Sequence, residues 1–334
     1  MKSGIFELIE NWENNETSAI SNAMELLEYA DSLGFDEAWI GEHHFNAFTL
    51  CPAPIALMSH ALARTKHIKI GSAAILLPHC HPIKLAEEIA TLDLLSKGRF
   101  LFGFARGAFS IFDVAMGGNP TQNHKIMLEN ATIIYDLLFK HQAHFEGEFF
   151  AIKHISIRPH PKRFIPFFIA SLHQDTLKSA AKKGYNFLGA FTLSIQQAKE
   201  IYELFIQNGA TKTFEFMLTR AIYIDEARNV AEEKAQIAAD IFSQCMLRKN
   251  EANPILEEKI KGNDYDSFKT NFFHKDEILK NMIVGTPSDV LEQILELKKQ
   301  VPITTLSLKL LTSDFNTSKH TLKLYATHIL PKLR

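Results

Sequence analysis

The chain has 334 residues, 46% of them hydrophobic, and a formal net charge of -2. That length holds one large α/β domain or two smaller ones, and a near-balanced charge without blocks of like sign argues against a nucleic-acid partner. Cys51, Cys80 and Cys245 are odd in number and far apart, which excludes a disulfide framework or paired-cysteine zinc module. With no signal-peptide body and no apolar run near the ~20 residues that cross a bilayer, a soluble protein of a reducing, cytoplasmic compartment is expected.

Two periods alternate along the chain. Residues 4–9, "GIFELI", read as a short buried strand, and 17–34 as a helix with Ile20, Met24 and Leu27 on one face. "FDEAWI" is a second strand, and Pro52 and Pro54 open a helix that runs to about Arg64. A third strand spans 68–77, and Pro82 starts the helix that Lys97-Gly98 ends. "RFLFGFA" is a fourth strand, with a helix from about Thr121 to Phe139 after it. Residues 143–159 alternate around a glycine turn, the pattern of an inserted β-hairpin. Strand–helix pairs resume at "PFFIA", "YNFLGAF" and "FEFMLTRAIYI". Residues 249–282 are polar and poorly periodic, and then come the helix "TPSDVLEQILELKKQ", the strand "TTLSLKL" and a terminal helix from Ser318.

Eight strands, each leading to a helix, predict a closed parallel (β/α)8 barrel, an α/β TIM barrel, as one domain over residues 1–334. An open dinucleotide-binding sheet would carry a glycine-rich turn after its first strand, and "ELIENWENNE" has no glycine. The 26 phenylalanines mainly fill the core, with an aromatic-lined pocket for an apolar ligand as the lesser reading.

Barrel chemistry collects at the C-terminal strand ends. Those ends offer Glu42, His43 and His44 after strand two, and Ser72, Ala73 and Ala74 before "PHCHP" after strand three. Strand four ends at Arg106, Gly107 and Phe109, and strand five at Ser171, His173 and Thr176. The histidines admit three readings: surface or satisfied core residues, ligands of a metal together with His79 and His81, or a general base or hydrogen-bond partner beside a cofactor. Arg106 and the 171–176 turn that feeds a helix N-terminus fit a phosphate, with Lys125 as a second cation or simply a solvated lysine.

"GFDEAWIGEHHF", "GSAAILLPHCHPIKLAEEIATLDLLSKGRFLFGFARG" and "VGTPSDVLEQI", in that order, resemble the bacterial luciferase-like, flavin-dependent monooxygenase family, and the catalytic luciferase subunit most. The resemblance implies FMN at the barrel mouth, arriving reduced from a separate flavin reductase. It implies addition of O2 to give a flavin C4a-hydroperoxide that oxidises a small, apolar organic substrate such as an aldehyde. It also implies a homodimer paired through helices beside strands two and three. By position, His43 matches the family's catalytic histidine with Glu42 and His44 flanking it, and Ala73-Ala74 a non-proline cis peptide against the flavin ring. Arg106 matches a phosphate-binding arginine, the segment Ser171 to Thr176 a phosphate loop, and 249–282 a mobile lid. Ala105 stands where luciferases carry a reactive cysteine and Lys125 where they carry a second arginine, so light emission does not follow. The alternatives are a metal-dependent barrel hydrolase built on His79, His81 and Glu42–His44, a deazaflavin-dependent reductase, and a flavin-binding protein without catalysis.

Overall fold

The computed structural model describes residues 1–248, 255 and 270–334. The chain begins with β1 (Lys2–Glu7), α1 (Glu16–Ser32), β2 (Glu37–Ile40), α2 (Pro54–Arg64), β3 (Lys69–Ser72), β4 (Ile75–Leu76) and α3 (Pro82–Ser96). It continues through β5 (Phe100–Ala105), α4 (Ser110–Met116), α5 (Asn123–Tyr135) and the hairpin β6 (Ala143–Glu146) and β7 (Ala151–Ile155). Then follow β8 (Phe167–Ala170), α6 (Gln174–Lys182), β9 (Asn186–Gly189), α7 (Ile195–Gln207), β10 (Phe216–Ile224) and α8 (Arg228–Leu247). The last described stretch holds α9 (Lys275–Lys280), β11 (Ile283–Gly285), α10 (Pro287–Gln300), β12 (Thr305–Leu310), α11 (Phe315–His328) and α12 (Leu330–Leu333).

Eight strands close a parallel ring in the order β1, β2, β3, β5, β8, β9, β10, β12 and back to β1. The expected TIM barrel and the β-hairpin at 143–159 are therefore present. Parallel strands are covered on both faces, which is why several of them, such as β5, β8 and β10, read as mainly apolar runs. Helices seal the outside through one continuous core, and a second, inner cluster of Trp39, Ala74, Leu101, Phe168, Leu188 and Met217 fills the barrel. Lys2 closes the N-terminal end by pairing with Glu37 and Glu215, and Glu37 also accepts a 3.2 Å bond from the Trp39 indole.

Local chemistry sets the helix ends. Ser194 with Gln197, and Thr286 with Asp289, form capping boxes for α7 and α10. Lys97 takes a left-handed conformation, φ 55°, to end α3. Two short elements depart from expectation: α4 lies in the glycine-bearing segment after β5, and β11 adds to β10 beyond the β9 pairing. The expected lid, 249–282, falls largely outside the described residues; its described end, 270–282, includes α9 and the buried Phe273. No helix among the described residues is long and apolar enough to cross a membrane.

Candidate active site at the barrel mouth

Because the ring strands are parallel, their C-terminal ends share one rim. Glu42–His44 follow β2, Ala73–Ala74 follow β3, Arg106 follows β5 and Ser171–Thr176 follow β8. Phe109, three residues past Arg106, stands edge-on to the His43 ring at 5.2 Å between centroids. One mouth thus holds two poles, histidine and arginine, with an aromatic wall between them.

At the histidine pole, His43 Nδ1 lies 2.9 Å from the Thr49 hydroxyl and its backbone N–H donates to Cys51 at 3.2 Å. Burial holds its pKa down at about 3, helped by His44 and the Lys309 ammonium, so the imidazole is neutral throughout the physiological range. Glu42 is buried and uses both oxygens. Oε1 meets His44 Nε2 at 2.9 Å, and Oε2 accepts the Leu76 amide at 3.0 Å, which ties the β2 end to β4. Phe112 sits 5.3 Å from the His44 ring, and Phe109 stacks on Phe273 at 6.0 Å.

The floor between the poles is made of small side chains. Ala73, Ala105 and Ala170 border the inner cluster and are only partly buried. The Ala73–Ala74 peptide is cis, at the position the resemblance implies. Here β3 pairs with β5 through Gly71 and Leu101, and β4 through Ile75 and Phe104, so the first strand carries one extra residue. A bulge of this kind re-aims the backbone. Ser72 spans it: its hydroxyl donates to the Gly103 carbonyl at 2.7 Å and accepts the Gly103 amide at 2.9 Å. Ser72 therefore stitches the barrel wall, and its hydroxyl is occupied there rather than offered to a cofactor. Gly103 is required at this crossing, because a Cβ there would collide with the Ser72 carbonyl oxygen.

At the arginine pole, Arg106 is exposed and has no ion-pair partner among the described residues. It lies close enough to His124 to help lower that imidazole's pKa, after burial and His173. His124 and His173 have ring centroids 4.4 Å apart, and the buried Thr176 hydroxyl is 2.9 Å from His124 and 3.4 Å from His173. Ser171 Oγ accepts the His173 amide at 3.1 Å. His173, the N-cap of α6, makes no side-chain cap, so the first-turn amides of that helix keep their donors for another acceptor. Exposed guanidinium and uncapped helix start, with the His124 and His173 rings beside them, offer a cradle for an anion. Lys125 is not part of it. Its ammonium pairs with Glu148 of the hairpin at 2.8 Å, and the preceding residue, His124, takes the inward place on α5.

The metal reading finds no support in these positions. His79 is paired with Asp113 at 3.2 Å, His81 faces the Phe150 ring at 6.4 Å, and Glu42 and His44 bond to each other. Among the described residues no group of three or more His, Cys, Asp or Glu side chains could hold a metal ion. Asp113 also accepts a bond from Asn123, which ties α4, and with it Phe112, to the start of α5.

Several site residues escape a sequence reading. Phe112 and Phe273 lie in segments without a clear period, and Thr49 is one hydroxyl in a loop. Lys309 is more visible: period-two alternation in β12 places it with Thr305 and Ser307 on one polar face opposite three leucines. That face is the barrel interior, since Lys309 pairs in register with Phe6, and Phe6 with the inward Trp39. Its ammonium is ion-paired with Glu10, with side chains only 1% and 4% exposed.

A family profile described as "Luciferase-like monooxygenase" matches residues 1–304. The chain is 26% identical over 318 residues to the oxygenase component of the flavin-dependent trigonelline monooxygenase of Acinetobacter baylyi, covering 88% of this chain and 85% of that one. It is 27% identical over 271 residues to the alkanal monooxygenase beta chain of Vibrio harveyi, covering 78% and 82%. Its fold superposes on the oxygenating constituent of 3,6-diketocamphane monooxygenase from Pseudomonas putida, solved with FMN, at a TM-score of 0.80 and 19% identity over 99% of each chain. The chain belongs to the luciferase-like, flavin-dependent monooxygenases.

Proposed function

We propose that the chain is the oxygenase of a two-component system, binding reduced FMN from a separate reductase and placing one oxygen atom of O2 on a small, apolar organic substrate such as an aldehyde. The single observation that carries this reading is the pairing, on one rim, of the anion cradle with the half-buried, neutral His43 across a floor of alanines. The Acinetobacter relative is an oxygenase component, which supports the two-component arrangement, and the alkanal monooxygenase relative supports an aldehyde. Pairing of two copies through the helices beside β2 and β3 is proposed on the family resemblance alone.

The residues fit an FMN laid across the mouth. Arg106 and the first-turn amides of α6 would hold its phosphate, with Thr176, His124 and His173 beneath. The Ala73–Ala74 backbone, Ala105 and Ala170 offer a flat apolar surface to a planar ring. Reduced FMN, when bound, supplies the electrons that activate O2. The chain supplies the surroundings. Phe109, Phe112 and Phe273 exclude water from the reacting centre. His43 handles a hydrogen bond or proton at the reacting oxygen, and its neutrality fits it for that exchange without an imidazolium charge. Glu42 holds His44 and the β4 backbone so that the rim keeps its shape.

The test is to mix the protein anaerobically with reduced FMN, add a straight-chain aldehyde, admit air and assay the carboxylic acid. Acid formed in proportion to FMN supports the proposal. Flavin binding with release of hydrogen peroxide alone, across a range of aldehydes and other apolar substrates, would count against it, as would equal affinity for riboflavin and FMN.

A further inference from the structure

The 43–51 loop is fastened to the strand end of β1 along its length. Leu50 donates to Ile9 at 3.0 Å, Asn11 donates to Phe48 at 2.7 Å, and Glu10 and Thr49 form an antiparallel bridge. Asn46 Oδ1 accepts the amides of both Phe48 and Thr49, at 2.7 and 3.0 Å. Glu10 is itself clasped by Lys309 inside the barrel. Thr49 is thus fixed from two sides, and only 1% of its surface is exposed.

A hydroxyl so buried must place its proton on an acceptor, because an unmade bond there costs about 1–3 kcal/mol. Among the described residues, the one hydrogen-bond partner of Thr49 Oγ1 is His43 Nδ1, at 2.9 Å. A threonine hydroxyl that donates to Nδ1 requires Nδ1 to be bare, which puts the ring proton on Nε2. Nε2 has no protein partner among the described residues, and the His43 residue is partly exposed at the mouth.

We propose that Thr49 is a positioning residue that holds His43 as the Nε2–H tautomer, so that the ring presents a hydrogen-bond donor to the mouth. His43 then begins the reaction by donating to an oxygen of its ligand, not by removing a proton through Nε2. This rests on the reading of His43 as the reacting group, but the tautomer is measurable without turnover.

The experiment is imidazole nitrogen NMR on the 15N-histidine-labelled full chain, with the His43 signals assigned by their loss in His43→Gln. The expected result is a bare Nδ1 and a protonated Nε2, kept in Thr49→Ser and lost to a mixture of tautomers in the near-isosteric Thr49→Val. In parallel, Thr49→Val lowers kcat for substrate oxygenation by up to about tenfold, a lost hydrogen bond, with FMN affinity unchanged and with Thr49→Ser restoring the rate. A wild-type His43 protonated at Nδ1, or a Thr49→Val spectrum identical to wild type, overturns the inference. An altered tautomer with unaltered oxygenation upholds the positioning and instead overturns the catalytic reading of His43.

Discussion

Arg106 stands in solvent beside an uncapped helix start, whereas His43, on the same rim, is packed against Phe109 and Phe112 and tied to a buried threonine. The first pole is made of one guanidinium and free backbone donors that wait for an anion. The second has its ordinary charge removed by burial and its orientation set by neighbours. Exposed charge of the first kind gives binding that salt weakens. A desolvated, oriented group of the second kind gives chemistry that salt barely touches. The contrast teaches that one end of the mouth is built for affinity and the other for reaction.

The sharpest way to break that division is His43→Ala. Loss of a positioned proton-handling group lowers oxygenation by about 10²–10⁴-fold. FMN affinity, measured by fluorescence titration, should stay near wild type. Loss of binding in step with rate would merge the two poles into one.

Next in size is Lys309→Met, which leaves the buried Glu10 carboxylate without its ammonium. Breaking a buried pair from one side costs about 3–5 kcal/mol, read as a lower urea midpoint. The double variant Glu10→Gln with Lys309→Met should recover much of that loss. If the single variant is as stable as wild type, the clasp beneath Thr49 contributes nothing.

At the arginine pole, Arg106→Ala should weaken FMN by about 1.5–3 kcal/mol, the range for a hydrogen bond to a charged group, while leaving riboflavin affinity unchanged. His124→Ala should weaken FMN in the same direction, and Lys125→Ala should not, since its exposed pair with Glu148 lies outside the cradle. A larger effect from Lys125 than from His124 would restore the reading made from sequence.

The remaining prediction concerns pH. Burial, with the nearby Glu10 and despite Lys309, raises the Glu7 pKa to about 8 from 4.5. Over that window the folded chain holds a proton that the unfolded chain has released. Stability therefore falls as pH rises from about 4.5 towards 8, and Glu7→Gln should flatten this part of a Tm-against-pH curve. An unchanged slope would mean that Glu7 is ionised in the folded protein.

Sequence carried the architecture well because parallel strands buried on both faces leave apolar runs that period and length can find. It missed α4, seven residues between glycines, and β11, three residues that no period can mark. At the site, the positions next to strand ends were legible: Glu42, His43 and His44 follow β2 and Arg106 follows β5, with Thr176 in the first turn of α6 after β8. Ser72 was placed on the right strand, but whether its hydroxyl faces the wall or the mouth depends on a bulge that local pattern does not reveal. Lys125 and His124 differ by one position on a helix, a rotation of about 100° that only packing against β8 and α6 decides. Thr49 meets His43 through the fold of their shared loop, and Lys309 meets Glu10 from the far end of the chain, so no motif announces either contact.

Diffraction from crystals soaked with FMN tests the central claim most directly. The account predicts the phosphate within hydrogen-bond reach of Arg106 and the first turn of α6, with the ring over Ala73–Ala74 on the side that His43 faces. A phosphate held elsewhere, or a ring lying away from His43, would contradict it.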